Sequence, residues 1–173
     1  MKTPVLIVLR GNAGSGKSTV ARLLCDRWRP HSAWIAQDHV RRTILGEKDT
    51  ALRDTPELMS LMARYCLEAG RHTIVEGILH AGRYAPMLET LRNQHRGPSL
   101  FYSFDLSFEE TLARHTTRHS PDIDEEMMRR WYVGWQPLPF CSEERILADE
   151  TLDAILDRIE SDVNRLASRP WIA

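Results

Sequence analysis

The most specific chemistry in this chain sits in eight residues near its start. Residues 11–18 read Gly-Asn-Ala-Gly-Ser-Gly-Lys-Ser, a complete G-x-x-x-x-G-K-[ST] phosphate-binding loop. The glycines let backbone N–H groups turn inward around a phosphate, and a helix opening behind them adds its partial positive charge. Gly11, Asn12, Ala13, Gly14, Ser15, Gly16, Lys17, Ser18 and Thr19 are therefore the candidate nucleotide contacts. Lys17 reaches the β and γ phosphates, and Ser18 offers a hydroxyl to the Mg²⁺ that bridges them.

Two acids follow at the ends of short apolar runs. Asp38 closes Ala33-Trp34-Ile35-Ala36-Gln37, and the carboxyl end of a parallel strand is where ligands bind in an open sheet. A carboxylate there can take the proton of an acceptor hydroxyl lined up with the γ-phosphate, and the same position suits a cap for a helix beginning at His39. Arg41 and Arg42, one turn further, face phosphate or an acidic group of the substrate. Glu76 ends Thr73-Ile74-Val75 and either holds a Mg²⁺-bound water or the substrate, or is a solvated charge finishing the strand.

Arg114 and Arg118 lie four apart and share a helix face, so two guanidinium forks can close on the transferring phosphoryl group. Arg129 and Arg130 can add charge from a returning helix. For all four, ion pairing with Glu109, Glu110, Glu125 or Glu126 is the competing reading. His115 and His119 repeat at the same spacing without partners for a zinc site and read as a solvated face. Trp131, Tyr132, Trp135 and Phe140 either line an apolar acceptor pocket or pack a lid onto the body.

Positioning these groups requires strands ending at one edge. Apolar runs at 4–9, 33–36, 73–75 and 100–104, with a weaker one at 145–148, each precede a longer stretch, which predicts βαβ units and a parallel sheet. Helical spacing runs from Lys17 to Trp28, and a closing amphipathic helix spans Leu152–Leu166. The stretch from Val40 to Gly70, broken by Gly46 and Thr55-Pro56, predicts two helices. The polar segment 118–139 predicts a mobile excursion with a helix inside it.

The 173 residues suit one domain, 42% of them hydrophobic and 27% charged, as in ordinary globular chains. A net charge of −1 supplies no global field for nucleic acid or an anionic membrane, so a small molecule is the expected partner. Three cysteines without a C-x-x-C pair predict reduced thiols, and the first apolar run is too short for a signal peptide or membrane span, which together predict a cytoplasmic protein. No N-K-x-D sequence is present to read a guanine base, which argues against a GTPase.

The loop, Gln37-Asp38, Glu76-Gly77 and the Arg114–Arg118 pair, in this order, resemble the small P-loop kinases of the nucleoside-monophosphate-kinase-like group. That group includes gluconate, shikimate and uridine kinases, zeta toxins, and the chloramphenicol and tunicamycin-resistance phosphotransferases. The resemblance implies a three-layer α/β P-loop NTPase fold over residues 1–173, with a five-stranded parallel sheet in the order 2-3-1-4-5 and helices on both faces. It further implies a substrate-binding helical segment at about 39–70, a lid at about 114–135, and a loop at Asp149–Thr151 that meets adenine. ATP and Mg²⁺ are the implied cofactors, Asp38 the acceptor-activating aspartate, and a monomer or homodimer the expected state.

The acceptor side, with Asp38, Arg41, Arg42, Glu76, Tyr84, Trp131 and Trp135 as candidate contacts, favours an amphipathic compound of the antibiotic type. Nucleoside and sugar-acid kinases are the alternatives. A nucleotide-dependent switch and a nucleic-acid kinase are the rivals of another class.

Overall fold

The computed structural model describes residues 3–47, 54–116 and 124–167. Strand β1 (Leu6–Gly11) runs through the middle of the sheet and is apolar on both sides, so its alternating side chains feed two cores. Ile7 and Leu9 enter one core with Val20, Ala21 and Leu24 of helix α1 (Lys17–Trp28) and with Ile155, Leu156 and Ile159 of helix α6 (Leu152–Ala167). Leu6 and Val8 enter the other with Met59 and Ala63 of helix α2 (Thr55–Glu68) and with Tyr84 and Leu88 of helix α3 (Ala81–Gln94).

The remaining strands are β2 (Ser32–Ala36), β3 (His72–Gly77), β4 (Ser99–Phe104) and β5 (Glu144–Ile146), and the sheet order is β2-β3-β1-β4-β5. Every pairing is parallel, so this is the 2-3-1-4-5 P-loop NTPase sheet with helices on both faces. Strand limits move by a residue or two. The consequential shift is at β3, which stays in register with β1 through Leu9↔Glu76 and Arg10↔Gly77. Glu76 therefore belongs to the ladder and is 4% exposed, which overturns the solvated-charge reading.

After β2 the chain makes a turn of π-helix, His39–Ile44, closed by the Leu45 N–H bonding the carbonyl of Val40. Helix α2 starts where Thr55-Pro56 predicts it, with Glu47 as its outside cap: the Glu47 carboxylate accepts from the Asp54 N–H at 2.8 Å and from the Thr55 hydroxyl at 2.5 Å. Beyond β4, helix α4 (Phe108–Thr116) and helix α5 (Glu125–Trp131) cover the phosphate loop. Gly14 records how closely: a Cβ there would lie 2.6 Å from the Thr111 carbonyl oxygen and 2.8 Å from Met128 Cε, and its φ of +78° is one that side chains resist. Arg118 and His119 lie outside the described residues.

In α6 the predicted stripe holds through Ile155, Leu156, Ile159 and Val163, while Leu152 is 42% exposed at the mouth of a cavity. Among the described residues no helix is long and apolar enough to cross a membrane, and the three cysteines are free.

Candidate active site

The phosphate loop lies between two cavities. On one side, a cavity of about 400 Å³ is lined by Lys17, Ser18, Asp38, Glu76 and residues of α3 and α5. On the other, a cavity of about 290 Å³ is lined by Gly16, Thr19, Arg114, Glu150 and Leu152. A third cavity, about 760 Å³, lies at the opposite edge of the sheet between Arg64, Leu67, Leu91 and His95 and contains none of the predicted residues.

Helix α1 points its open first turn at the loop. The N–H groups of Thr19 and Val20 bond back to the Gly16 carbonyl, while those of Lys17 and Ser18 precede any helical acceptor. Lys17 is buried, its Nζ donating to the Asn12 carbonyl at 3.1 Å. The side chain of Asn12 is engaged elsewhere. Its Oδ1 accepts from the Val133 N–H at 2.9 Å and its Nδ2 donates to the Gly134 carbonyl at 3.2 Å, so the loop is stitched to the segment after α5 and only the Asn12 backbone is left to face a phosphate.

Ser18 Oγ donates to Glu76 Oε2 at 3.1 Å. Burial pushes the Glu76 carboxyl above its ordinary range, against the pull of Lys17 and the Ser18 hydrogen bond. These two oxygens fit a hard cation that draws its other ligands from phosphates and water; among the described residues no group of three metal-binding side chains exists to hold one alone.

Asp38 stands at the carboxyl end of β2 with its side chain 68% exposed. It makes no capping hydrogen bond, which corrects the cap reading: instead it accepts from Arg41 Nη2 at 2.9 Å, with Arg42 Nε at 3.9 Å. Tyr84 is buried with its hydroxyl accepting from Gln37 Nε2 at 2.8 Å, and burial pushes its pKa up. Gln37 Oε1 in turn accepts from the Leu79 N–H at 3.1 Å, while Arg10 Nε donates to the Leu79 carbonyl at 3.1 Å. Those two bonds pin Leu79 at a φ of +42°, a strained turn that delivers His80 and Arg83 to the cavity.

The predicted aromatic wall divides. Trp131 lines the cavity that holds Asp38, with Arg42 stacked on it at 5.4 Å. Trp135 does not: it lies under the Arg145 guanidinium at 4.8 Å, outside the lining, which corrects its assignment as a substrate contact. Tyr132 packs edge-on against Phe108 and Phe140 edge-on against Phe101. Arg129 and Arg130 form the i,i+4 pairs with Glu125 and Glu126 that the competing reading named, although Arg130 also borders the cavity.

Arg114 belongs to the second cavity. Its Nη1 donates to the Ser15 carbonyl at 2.8 Å and its Nη2 to the Ala148 carbonyl at 2.9 Å, so it braces the loop against the segment after β5 and does not reach into the cavity that holds Asp38. Of Asp149–Thr151, Glu150 lines this cavity. The supports that sequence reasoning missed are Gln37 as a bridge and a buried ion pair between Arg10 and Glu143 at 2.6 Å. Arg10 had one signal, a charge inside an apolar strand.

Residues 6–131 match the family AAA_33, described as an AAA domain, and the chain belongs to that family. No curated protein matches it in sequence. Among solved structures it is similar to the Mycobacterium tuberculosis APS kinase CysC in complex with AMPPNP and APS (TM-score 0.72, 16% identity, covering 95% of this chain and 99% of that one). It is likewise similar to a gluconokinase from Sinorhizobium meliloti 1021 (TM-score 0.65, 18% identity, 96% and 95%) and a sugar kinase from Janibacter sp. HTCC2649 (TM-score 0.67, 18% identity, 97% and 99%). The fold is that of the small P-loop kinases.

Proposed function

We propose that this protein is an ATP- and Mg²⁺-dependent kinase that transfers the γ-phosphate to a hydroxyl of a small molecule in the cytoplasm. The carrying observation is the pair of cavities on either side of one phosphate loop, with Lys17, the Ser18–Glu76 contact and Asp38 all lining the larger of the two. The base and ribose occupy the side of Arg114 and Glu150, and the acceptor occupies the side of Asp38. Mg²⁺, when held by Ser18 and Glu76, neutralises charge on the β and γ phosphates.

Asp38 takes the acceptor proton as the acceptor oxygen bonds to the γ-phosphorus. The bond from that phosphorus to the bridging oxygen then breaks and ADP leaves. Lys17 stabilises the charge that builds on the phosphoryl oxygens, and Arg118 adds to it from the lid. The APS-kinase, gluconokinase and sugar-kinase neighbours support this class of reaction through their fold.

An amphipathic acceptor, the antibiotic-type expectation, keeps Trp131 and Tyr84 as its apolar wall and loses Trp135. A cavity of about 400 Å³ lies toward the small end of ligand sites, which favours a compact acceptor.

Replacing Asp38 with Asn tests the assignment. Across a panel of nucleosides, sugar acids and antibiotics, acceptor-dependent ADP release by the best substrate falls by roughly 10²–10⁴ while nucleotide affinity is kept. Transfer that survives the substitution removes Asp38 as the base. Nucleotide binding with no acceptor-dependent turnover in the parent protein favours a switch.

A further inference from the structure

A strap of chain between α5 and β5, residues 133–136, is bonded at one end to the phosphate loop and at the other to the first turn of α3. The loop end is held by the two residues that flank Gly11. The Asn12 side chain takes the Val133 N–H and the Gly134 carbonyl, and Arg10 Nη2 donates to the Gln136 carbonyl at 3.0 Å. Arg10 is 3% exposed and Asn12 4%, so neither anchor is free to swing. The other end is the Gln136 side chain. Its Oε1 accepts from the Ala81 N–H at 3.3 Å, and its Nε2 lies 3.2 Å from His80 Nε2.

Helix α3 needs this contact. The N–H groups of a first turn have no acceptor within their own helix, and His80, at the N-cap, makes no capping bond with its side chain. Gln136 supplies an acceptor from a distant segment. The same amide sets the state of His80, which borders the cavity holding Asp38. A backbone N–H can only donate, so the amide oxygen has to face Ala81 and the amide nitrogen has to face the imidazole. That nitrogen donates, so His80 Nε2 accepts and the ring proton sits on Nδ1. Nδ1 is buried with no hydrogen-bond partner among the described residues, so no second contact competes in choosing the tautomer.

Resting on the kinase reading above, we infer that Gln136 is a positioning residue that couples the two halves of the site: through the strap, a nucleotide that orders the phosphate loop also orders the first turn of α3 and the wall of the cavity holding Asp38. Lys17 supplies the input. Its Nζ donates to the Asn12 carbonyl at 3.1 Å, and a phosphate bound by Lys17 competes for that donor, so the nucleotide acts on a residue that grips the strap. The coupling is reciprocal, and whatever steadies His80 and Ala81 tightens the loop on its nucleotide.

Amide exchange measured by NMR on the full chain, with Mg²⁺ and AMPPNP as the probe, tests the link. Saturating AMPPNP should slow the Val133 and Ala81 N–H groups together, each by about tenfold, the worth of one hydrogen bond. In Gln136→Leu the slowing should survive at Val133 and vanish at Ala81, and ¹⁵N spectra at about pH 8 should show His80 moving toward the Nε2–H tautomer. Gln136→Glu keeps an oxygen for Ala81 but offers the imidazole no donor. It should restore the slowing at Ala81 while leaving the His80 proton on Nε2. Slowing at Ala81 that survives Gln136→Leu, a Gln136→Glu variant no better than Gln136→Leu, or an Nε2–H tautomer in the unaltered protein would overturn the inference. Calorimetry separates it from the reading beneath it: AMPPNP that binds without slowing Ala81 sinks the coupling and keeps the nucleotide site, whereas AMPPNP that does not bind sinks the kinase reading and the coupling with it.

Discussion

Ser18 Oγ donates a hydrogen bond to Glu76 Oε2 at 3.1 Å, joining the first turn of α1 to the end of β3. The contact aims a carboxylate at the phosphate loop but keeps it buried, and burial raises its pKa. In the folded state Glu76 therefore holds its proton to higher pH than in the unfolded chain, so the native state binds more protons across the window between the two values. Stability consequently falls as pH rises from the ordinary glutamate value of 4.5 through the raised folded one.

Glu76→Gln removes that loss. Scanning calorimetry of the ligand-free variant should give a higher Tm than the parent at pH 8, with the gap closing below the ordinary glutamate value. The same variant should lose the strengthening of nucleotide binding by Mg²⁺. A gap that does not vary with pH would show that the carboxylate carries no burial cost.

Arg10 and Glu143 form the second buried contact with a measurable consequence. Arg10 Nη1 meets both Glu143 oxygens at 2.6 and 2.8 Å, Nη2 donates to the Gln136 carbonyl, and Glu143 also accepts from the Leu138 N–H. Their side chains are 4% and 1% exposed. Removing one partner strands a buried charge, so Arg10→Met or Glu143→Gln should each lower stability by about 3 to 5 kcal/mol in denaturant titration. Changing both to Met should recover much of the loss, and a double variant no better than the worse single one would count against a charge-based cause.

These two contacts mark what sequence can convey. The loop, the strand order and the place of Asp38 just past the end of β2 were legible because each depends on local spacing or on a resemblance that spans the chain. The burial of Glu76 depends on where β3 stops pairing with β1, and an acid at a strand end reads the same whether the ladder includes it or not. Arg10 follows directly on the apolar run 4–9, and its partner lies 133 positions away. Trp131 and Trp135, four apart and alike in type, face different surroundings because the chain leaves the helix at Tyr132. Spacing on a helix carries no information beyond the helix.

Arg114 illustrates the same limit and yields a prediction that separates two roles. A fork acting on the transition state would lower kcat when removed, whereas one bracing the loop against Ala148 would weaken nucleotide binding. Arg114→Ala should raise the Kd of a fluorescent ATP analogue by about tenfold or more, the loss of one or two charge-assisted bonds, with kcat at saturating nucleotide changed less. A large fall in kcat at unchanged nucleotide affinity would return Arg114 to the phosphoryl group.

Gly77 ends β3 where nothing larger fits. A Cβ added there would lie 2.2 Å from Gln37 Oε1 and 2.5 Å from Gln37 Cβ, and the second distance involves an atom fixed to the backbone, so rotating the side chain gives no relief. Gln37 must move, and with it the bonds to the Leu79 N–H and the Tyr84 hydroxyl that shape the cavity holding Asp38. Among the described residues the side chain of Gln37 makes no hydrogen bond to the loop or to the Arg114 cavity. Gly77→Ala should therefore raise the acceptor KM more than the ATP KM and lower stability by about 1 to 3 kcal/mol, the usual range for overpacking. A further change, Gln37→Ala on the Gly77→Ala background, opens room for the methyl group and should return part of the stability. It should not restore the acceptor KM, because the bonds to Leu79 and Tyr84 are still missing. Recovery of both would mean that the methyl clash alone, and not the lost Gln37 bridge, disturbs the cavity.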